Sequence, residues 1–288
     1  MTLSNQNDLA AQGMLAVLVL YGRELKDAIP WPQLKAWLQK ADGPFLRHCL
    51  VYDNSPLAAT VTALPFNAHL ISNCDNGGTV EAYHAAAQHA AEKGCEWLLL
   101  LDQDTCLPPD YLERVQDAIV AAPNAVALVP FVVHGNQPVS PAIINASGSI
   151  VPCSNPEREN SVTTAISSGV VIRRVAMASM TFPPEIWLDY VDHWMFLDIS
   201  SRGERVARIN SRLFHDLSVR KPSTLSAFRL RSILAAESVF YHKLGGRALA
   251  MLPFRRLLRA MRYVRIGRPS LAMAVVKTFF ERQSAAIK

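Results

Sequence analysis

The segment that indicates the fold most clearly is Glu96–Thr105, which has the sequence EWLLLLDQDT. Its apolar run is typical of a strand that is buried on both faces of a sheet. Asp102 and Asp104 follow directly, so a turn at the carboxyl end of this strand would direct two carboxylates at one small region. Hard divalent cations such as Mg²⁺ and Mn²⁺ bind carboxylate and phosphate oxygens, which makes this pair a candidate metal site.

Strands and helices alternate on the N-terminal side of this stretch. Such alternation predicts an α/β fold whose parallel strands are joined by right-handed crossovers. The apolar runs predict four strands, and the helical spacing of apolar residues predicts two helices between them. The strands are Met14–Leu20, His48–Tyr52, Ala68–Ser72 and Glu96–Leu101, and the helices are Trp31–Ala41 and Thr79–Lys93.

The C-terminal half is less regular but continues the same pattern. We predict three further strands in it, at Ala125–Val133, Ile144–Val151 and Arg205–Ile209. We also predict four helices, at Tyr190–Ser201, Ser223–Leu244, Arg247–Arg265 and Leu271–Arg282.

Polar clusters follow four of the predicted strands. In parallel α/β sheets, ligands collect beyond the carboxyl ends of the strands. The sequence therefore predicts one ligand site at one sheet edge, formed by Tyr21-Gly22-Arg23, Asp53-Asn54, Asn76-Gly77-Gly78 and Asp102-Gln103-Asp104.

The composition indicates a globular protein that works in a reducing compartment. Half of the 288 residues are hydrophobic and 18% are charged, which predicts a packed core. The five cysteines form no CxxC pair, which favours reduced thiols and a cytoplasmic location. The N-terminus lacks signal-peptide character, and no apolar run reaches the roughly 20 residues that span a bilayer. We expect a chain that is free in the cytoplasm or peripheral at the inner face of the cell membrane.

The positive charge is concentrated at the C-terminus. From Lys243 onward there are eleven basic residues and one acid, Glu281, so this segment carries +10. Subtracting it from the net +5 leaves −5 for the first 242 residues. Arg255, Arg256, Arg259 and Arg262 recur at helical spacing among leucines, a pattern that suits an anionic membrane surface. A lipid-diphosphate acceptor or a partner subunit would suit it equally; nucleic acid is not expected.

Three motifs in order carry a family resemblance. They are Asn76-Gly77-Gly78, Leu101-Asp102-Gln103-Asp104-Thr105 and Asp189-Tyr190-Val191-Asp192. Together they resemble the rhamnosyltransferase-type branch of the family 2 glycosyltransferases. The resemblance runs from about Met14 to Ser218. It implies the GT-A nucleotide-sugar-binding fold, an α/β fold with a central, mostly parallel mixed sheet flanked by helices. The domain would span 1–218, with a nucleotide-binding half at about 14–105 and an acceptor half at about 106–218; 219–288 would be a basic helical extension.

The resemblance also implies roles on the donor side. Tyr21 would line the binding site of the nucleobase. Asp53 would form a hydrogen bond with a pyrimidine ring, unless it only initiates a turn. The loop of Asn76, Gly77 and Gly78 would let the protein backbone approach the ribose and diphosphate of the donor. The alternative is that these residues form a simple turn. Ser168 and Gly169 would lie under the donor sugar, or make a tight bend. In the metal site, Asp104 would be the direct ligand of Mn²⁺ or Mg²⁺ and Asp102 would face the ribose or metal-bound water. His215 would be a third ligand or a diphosphate contact, unless it is merely a satisfied polar residue.

The catalytic base implied by the resemblance is Asp192, at the start of a predicted helix. Inversion at the anomeric carbon needs a carboxylate that takes the proton of the attacking acceptor hydroxyl. Asp189 is the competing candidate, and His193 would either bind the acceptor or cap local structure.

The implied activity is transfer of a sugar, rhamnose or another deoxyhexose, from a dTDP- or UDP-linked donor to a glycan. The acceptor would be a surface polysaccharide or a lipid-linked oligosaccharide. Two rival functions are a sugar nucleotidyltransferase and a non-catalytic nucleotide-sugar-binding subunit. The first needs a Gly-rich basic signature after the first strand, which Leu20–Glu24 (LYGRE) does not supply. The intact acids Asp102, Asp104 and Asp192 argue against the second.

Overall fold

The strands form one large sheet and a separate hairpin. The structure is a computed structural model that describes residues 12–40, 45–57, 64–153, 164–215 and 225–285, with backbone only for 280–285. Its strands are β1 Met14–Leu20, β2 Leu46–Asp53, β3 Ala68–Ser72, β4 Trp97–Asp102, β5 Thr105–Cys106, β6 Ala125–His134, β7 Gln137–Ser140, β8 Ala142–Ile144, β9 Ile150–Pro152, β10 Val171–Arg173 and β11 Arg205–His215.

Eight helices accompany them in the described residues. They are α1 Trp31–Leu38, α2 Gly78–Glu92, α3 Tyr111–Ala121, α4 Arg174–Ser179, α5 Val191–Ser201, α6 Ala227–Leu244, α7 Gly246–Arg265 and α8 Pro269–Ala285. None of the helices in this part of the chain is both long and apolar enough to cross a membrane.

The sheet is mixed, with the order β3-β2-β1-β4-β10-β6-β11-β5 and with β7 paired to β6. The first four strands along the chain pair in parallel, and β11 is parallel to β6. Strand β10 is antiparallel to both β4 and β6, and it joins the two parallel halves. This architecture confirms the predicted α/β fold with a mostly parallel mixed sheet.

Strand β4 is buried on both faces, as its apolar run predicts. Trp97, Leu99 and Leu101 pack into a core that also holds α1 and α3. Leu98 and Leu100 point to the other face, into a core formed with α2, α4 and α5. All five side chains are fully buried. Alternation of side chains along the strand therefore gives each layer of helices its own core.

Three local predictions differ from the structure. The strand predicted at Ile144–Val151 is wrong, because Asn145 turns the chain: its Oδ1 accepts hydrogen bonds from the backbone nitrogens of Ser147 and Ser149. The result is the β8–β9 hairpin. The strand predicted to end at Ile209 continues to His215, past an irregularity between Arg208 and Arg212. Helix α3 was not predicted.

The C-terminal helices pack on one another and on the segment that leads into α5. Leu230, Leu234, Tyr263, Leu271 and Val275 form a core among α6, α7 and α8. Helix α6 also meets the segment that leads into α5. There the Arg229 Nη1 lies 2.6 Å from Asp189 Oδ2, Trp187 Nε1 donates to Ser232 Oγ at 3.2 Å, and the Tyr190 and Phe240 rings are 4.9 Å apart.

Three of the four arginines singled out in α7 form hydrogen bonds to other parts of the chain. Arg256 is buried and its Nε donates to Glu237 Oε2 at 3.1 Å; Arg259 Nη2 lies 2.6 Å from Glu237 Oε1. Arg255 Nη2 donates to Ser147 O and Ser149 Oγ at 2.9 and 2.7 Å. The buried carboxylate of Glu237 needs such partners. These three arginines therefore bond within the protein, while Arg262 of the four is exposed; contact of the basic helices with a membrane stays a prediction.

Candidate active site

A candidate metal centre lies at the carboxyl end of β4. The two-residue strand β5 pairs antiparallel with the end of β11, so that Thr105 lies opposite His215. This pairing brings His215 beside Asp102 and Asp104, and one potential ligand atom from each of the three residues lies within 4.8 Å of the other two. The Asp104 Oδ1 and His215 Nδ1 are 3.5 Å apart. Two carboxylates and one imidazole are thus gathered at a single point.

Buried hydroxyls hold this cluster in place. Ser168 Oγ donates to Asp102 Oδ2 at 2.7 Å and lies 3.2 Å from His215 Nδ1. Thr105 Oγ1 lies 3.3 Å from the same nitrogen, and both hydroxyl residues are fully buried. Such partners fix the orientation of metal-ligating side chains and are worth a large share of metal affinity.

The backbone bend at Gly169 brings Ser168 to the cluster. Gly169 has φ +82°, and an added Cβ would lie 2.3 Å from Leu213 Cδ1. Its nitrogen donates to Leu100 O at 2.8 Å, which ties the bend to the interior of β4. The segment is therefore a tight bend that also supports the candidate metal site.

We expect Ser168→Ala to weaken the binding of Mn²⁺ by about tenfold to a hundredfold, because the Asp102 carboxylate loses its orienting donor. Titration of the purified chain with Mn²⁺ at constant nucleotide concentration measures this. Ser238→Ala is the matched control, since Ser238 Oγ donates to Leu234 O and accepts from Arg256 Nη2 between α6 and α7, away from the cluster. Equal affinities for all three proteins would contradict the supporting role of Ser168.

The electrostatics of the cluster are unfavourable for two carboxylates alone. Burial raises the pKa of Asp104; the nearby His215 opposes this rise, while the negative charge of Asp102 adds to it. Arg23 also acts to lower the pKa of Asp104. A cation between the carboxylates would remove the repulsion, and mixed oxygen and nitrogen donors of this kind fit Mn²⁺ or Mg²⁺.

Gln103 joins the metal turn to the loop after β1, a role that the sequence does not reveal. Its side-chain Oε1 accepts from Tyr21 N at 2.9 Å, and its Nε2 donates to Tyr21 O at 3.2 Å. Its backbone oxygen accepts from Arg23 Nη1 and Ile29 N at 3.2 and 2.9 Å. The Tyr21 ring itself is about half exposed (55%). Gln103 therefore fixes the loop that presents Tyr21 at the site edge.

Asp53 lies at the carboxyl end of β2 and is buried. Its Oδ1 accepts from Ser55 N at 3.0 Å, which is the turn-initiating arrangement considered from the sequence. Ser55 Oγ in turn accepts from Gly22 N at 2.8 Å. The ends of β1 and β2 are thus bonded together, and Tyr21 and Asp53 are brought to the same edge of the sheet.

Asn76, Gly77 and Gly78 form the entry to α2, close to Trp187. Asn76 and Gly78 have φ of +56° and +72°. A Cβ on Gly78 would lie 2.3 Å from Trp187 O, and one on Gly77 would lie 1.8 Å from Glu81 Oε2. Trp187 O also accepts from Thr79 N and Val80 N at 3.0 and 3.2 Å. Gly78 therefore permits the segment before α5 to sit against the start of α2.

We expect Gly78→Ala to destabilise the fold by about 3 kcal/mol or more, because a positive φ and a clash with backbone act together. Gly94→Ala is the control: its φ is +65° but nothing lies within 4 Å of the added Cβ. It should cost only the conformational strain, about 1–2 kcal/mol. Thermal unfolding of the two variants compares them, and equal losses would show that the contact with Trp187 is not close.

Asp189 and Asp192 differ sharply in their surroundings. Asp189 is held by Arg229, whose Nη2 donates to Asp189 Oδ1 at 2.9 Å. Asp192 lies in the first turn of α5, after Tyr190 at φ +63°, and is half-buried. Burial first, then the charges of Asp102 and Asp192, raise the pKa of the Tyr83 phenol. The charges of Asp102 and Asp192 therefore both act on this buried phenol.

His193 has a structural environment in α5. Its Nδ1 lies 2.7 Å from Thr164 Oγ1, and its ring packs 5.8 and 5.9 Å from the rings of Tyr190 and Phe240. These contacts join α5 to α6. Of the two readings considered from the sequence, this geometry favours the structural one.

Comparisons with known proteins bear on both sequence and fold. Residues 34–174, just under half of the chain, match the sequence profile of Glycosyl transferase family 2. No curated protein sequence matches the chain significantly.

Several solved structures share the fold. Glucosyl-3-phosphoglycerate synthase from Mycobacterium tuberculosis, in complex with Mg²⁺ and UDP, has a TM-score of 0.55 at 16% identity, over 81% of this chain and 82% of that one. S. aureus TarS 1-349 in complex with UDP-GlcNAc has a TM-score of 0.52 at 12% identity, over 93% and 92%. GalNAc-T7 with UDP, GalNAc and Mn²⁺ has a TM-score of 0.52 at 13% identity, over 84% and 54%, so this chain spans about half of its length.

At these identities the structures show the fold alone, and that fold is the GT-A fold predicted from the motifs. The profile match and the shared fold together support a family 2 glycosyltransferase.

Proposed function

We propose that the chain is a metal-dependent, inverting glycosyltransferase whose donor is a nucleoside-diphosphate sugar. The observation that carries the proposal is the cluster of Asp102, Asp104 and His215 at the carboxyl end of β4. Ligands of parallel α/β sheets bind at this edge. Nucleotide-sugar transfer is also the chemistry that the family match supports.

The cation would be Mn²⁺ or Mg²⁺, held by Asp104 as a direct ligand with Asp102 and His215. Two of the solved structures that share the fold contain Mg²⁺ with UDP and Mn²⁺ with UDP, respectively. When bound, such a cation offsets the negative charge of the leaving diphosphate. Ser168 and Thr105 orient the side chains that would hold it.

The donor nucleotide is UDP or dTDP in this proposal. Tyr21, fixed by Gln103, would line the base, and Asp53 at the end of β2 would bond the pyrimidine ring. Asn76, Gly77 and Gly78 would lie beside the ribose and diphosphate, while Ser168 and Gly169 would lie under the sugar. Rhamnose or another deoxyhexose is proposed from the resemblance of the DQDT and DYVDH strings alone.

Asp192 is the proposed catalytic base. Its carboxylate takes the proton of the acceptor hydroxyl while that oxygen attacks the anomeric carbon. The bond from this carbon to the diphosphate breaks on the opposite face, its electron pair leaves with the diphosphate, and the configuration inverts. The N-terminus of α5 favours the carboxylate form of Asp192. The Arg229 pairing of Asp189 disfavours the alternative, because a carboxylate engaged by a guanidinium is a weaker base.

The proposed acceptor is a surface polysaccharide or a lipid-linked oligosaccharide at the cytoplasmic face of the membrane. Support comes from the same motif resemblance and from the packing of the basic helices against the segment that precedes Asp192.

Release of the nucleoside diphosphate from UDP- and dTDP-sugars tests the proposal, with Mn²⁺ or with a chelator. A transferase releases the diphosphate slowly when water takes the place of the acceptor, and faster when an acceptor is present. Both reactions require the metal. A nucleotidyltransferase would instead release pyrophosphate from a nucleoside triphosphate and a sugar phosphate. Binding of the nucleotide-sugar without any release would identify a non-catalytic binder.

A further inference from the structure

Helix α7 presents an apolar ridge on its outer face. The ridge is formed by side chains that are 49–61% exposed: Phe254, Leu257, Leu258, Met261 and Val264. They recur at intervals of three and four residues, so they lie on one face of the helix. The opposite face, with Leu252, Arg256, Ala260 and Tyr263, is buried.

The charged side chains of α7 are all positive. Arg247, Arg262 and Arg265 of α7 are exposed and lie on or beside the ridge. The sequence holds no Asp or Glu between Lys243 and Glu281. The arginines that bond internally, Arg255, Arg256 and Arg259, are not part of this surface.

We propose that this ridge docks the chain on an anionic lipid bilayer. Half-exposed apolar side chains would enter the interface between headgroups and acyl chains, and the flanking arginines would contact anionic headgroups. A second copy of the chain is a poorer occupant, because a two-fold interface would bring the same arginines of both copies together with no acid to pair them.

The position of the ridge extends the proposed function. Helix α7 packs on α6, and Phe240 of α6 contacts Tyr190, two residues before Asp192. A docked α7 would thus hold the acceptor side of the site near the bilayer surface, where a lipid-linked acceptor lies. This last step rests on the proposed function; the docking itself does not.

Sedimentation of the full chain with vesicles tests the docking. We expect binding to vesicles of phosphatidylglycerol and phosphatidylcholine that falls with added salt, and weak binding to phosphatidylcholine alone. The variant Leu257→Ser/Met261→Ser/Val264→Ser should lose about tenfold or more of this binding. Arg262→Gln/Arg265→Gln should lose about tenfold on anionic vesicles only.

A matched pair of valines supplies the control. Val264 in the ridge and Val175 in α4 are 61% and 58% exposed. Val264→Ser should weaken vesicle binding and Val175→Ser should not. Equal binding to neutral and anionic vesicles, no binding to either, or a dimer in size-exclusion chromatography that the triple variant abolishes would overturn the proposal.

The vesicle assay contains no nucleotide-sugar, so its failure is separate from a failure of the proposed transfer. The triple variant should keep the wild-type unfolding temperature and the wild-type, metal-dependent release of nucleoside diphosphate in the absence of vesicles. All three of its side chains are exposed, so a loss of vesicle binding with an intact fold assigns the effect to the ridge.

Discussion

Asp104→Asn is expected to reduce metal-dependent release of the nucleoside diphosphate by about a thousandfold or more. An amide keeps the shape of the side chain but removes the charge that would bind the cation, and metal stabilisation of a transferring group is worth several kcal/mol. The loss should appear at every concentration of donor. Raising Mn²⁺ should restore part of it, because Asp102 and His215 remain.

The control for this variant is Asp110→Asn. Asp110 is an exposed acid next to α3 that pairs with Arg114 at 3.0 Å. It should keep wild-type turnover and stability, since exposed ion pairs contribute about 0–1 kcal/mol. An Asp104→Asn protein that turns over normally would remove Asp104 from the proposed metal site.

Asp192→Asn is expected to lower kcat for transfer by about a hundredfold to ten-thousandfold, the range that a lost general base commonly costs. The KM for the donor and the metal requirement should change little, because Asp192 is not one of the three residues of the candidate metal cluster. Steady-state kinetics with an acceptor present separates kcat from KM.

Asp189→Asn is the matched test of the competing base. It breaks the ion pair with Arg229, so a modest drop in unfolding temperature is expected, while kcat should stay within a few-fold of wild type. The reverse outcome, in which Asp189→Asn abolishes transfer and Asp192→Asn leaves it intact, would transfer the role of base to Asp189.

Much of the fold from β1 to β4 could be predicted because local patterns determine it. Strands β1 and β4 lie between two layers of helices and are buried on both faces. A parallel strand in that position needs apolar residues at successive positions, so its continuous apolar run predicts it. Asn145 shows a local signal that was misread: Asn145-Ala146-Ser147-Gly148 carries turn chemistry, and the predicted strand ran through it. The apolar spacing of α3, at Tyr111, Val115 and Ile119, was readable in the same way.

Long-range contacts explain what could not be predicted from the residues alone. The place of His215 beside Asp104 depends on pairing between β11 and a strand of only two residues, and family resemblance alone indicated it. The side chain of Gln103 accepts a hydrogen bond from the backbone of Tyr21, 82 residues earlier in the chain, and no local sequence pattern predicts that bond. The basic spacing of α7 indicated an amphipathic helix, but a single buried acid, Glu237, decides that Arg256 and Arg259 turn inward and the apolar ridge turns outward.

We propose that Asp102, Asp104 and His215 hold a divalent cation that binds the donor diphosphate. Thermal unfolding of the wild type and of Asp104→Asn, each with UDP or dTDP alone, Mn²⁺ alone, or both, tests it most directly, since a ligand of the native state raises its stability. We predict an increase of several degrees for the wild type only when nucleotide and Mn²⁺ are both present, and almost none for Asp104→Asn. An equal increase with nucleotide in the presence of a chelator, or in Asp104→Asn, would contradict the account.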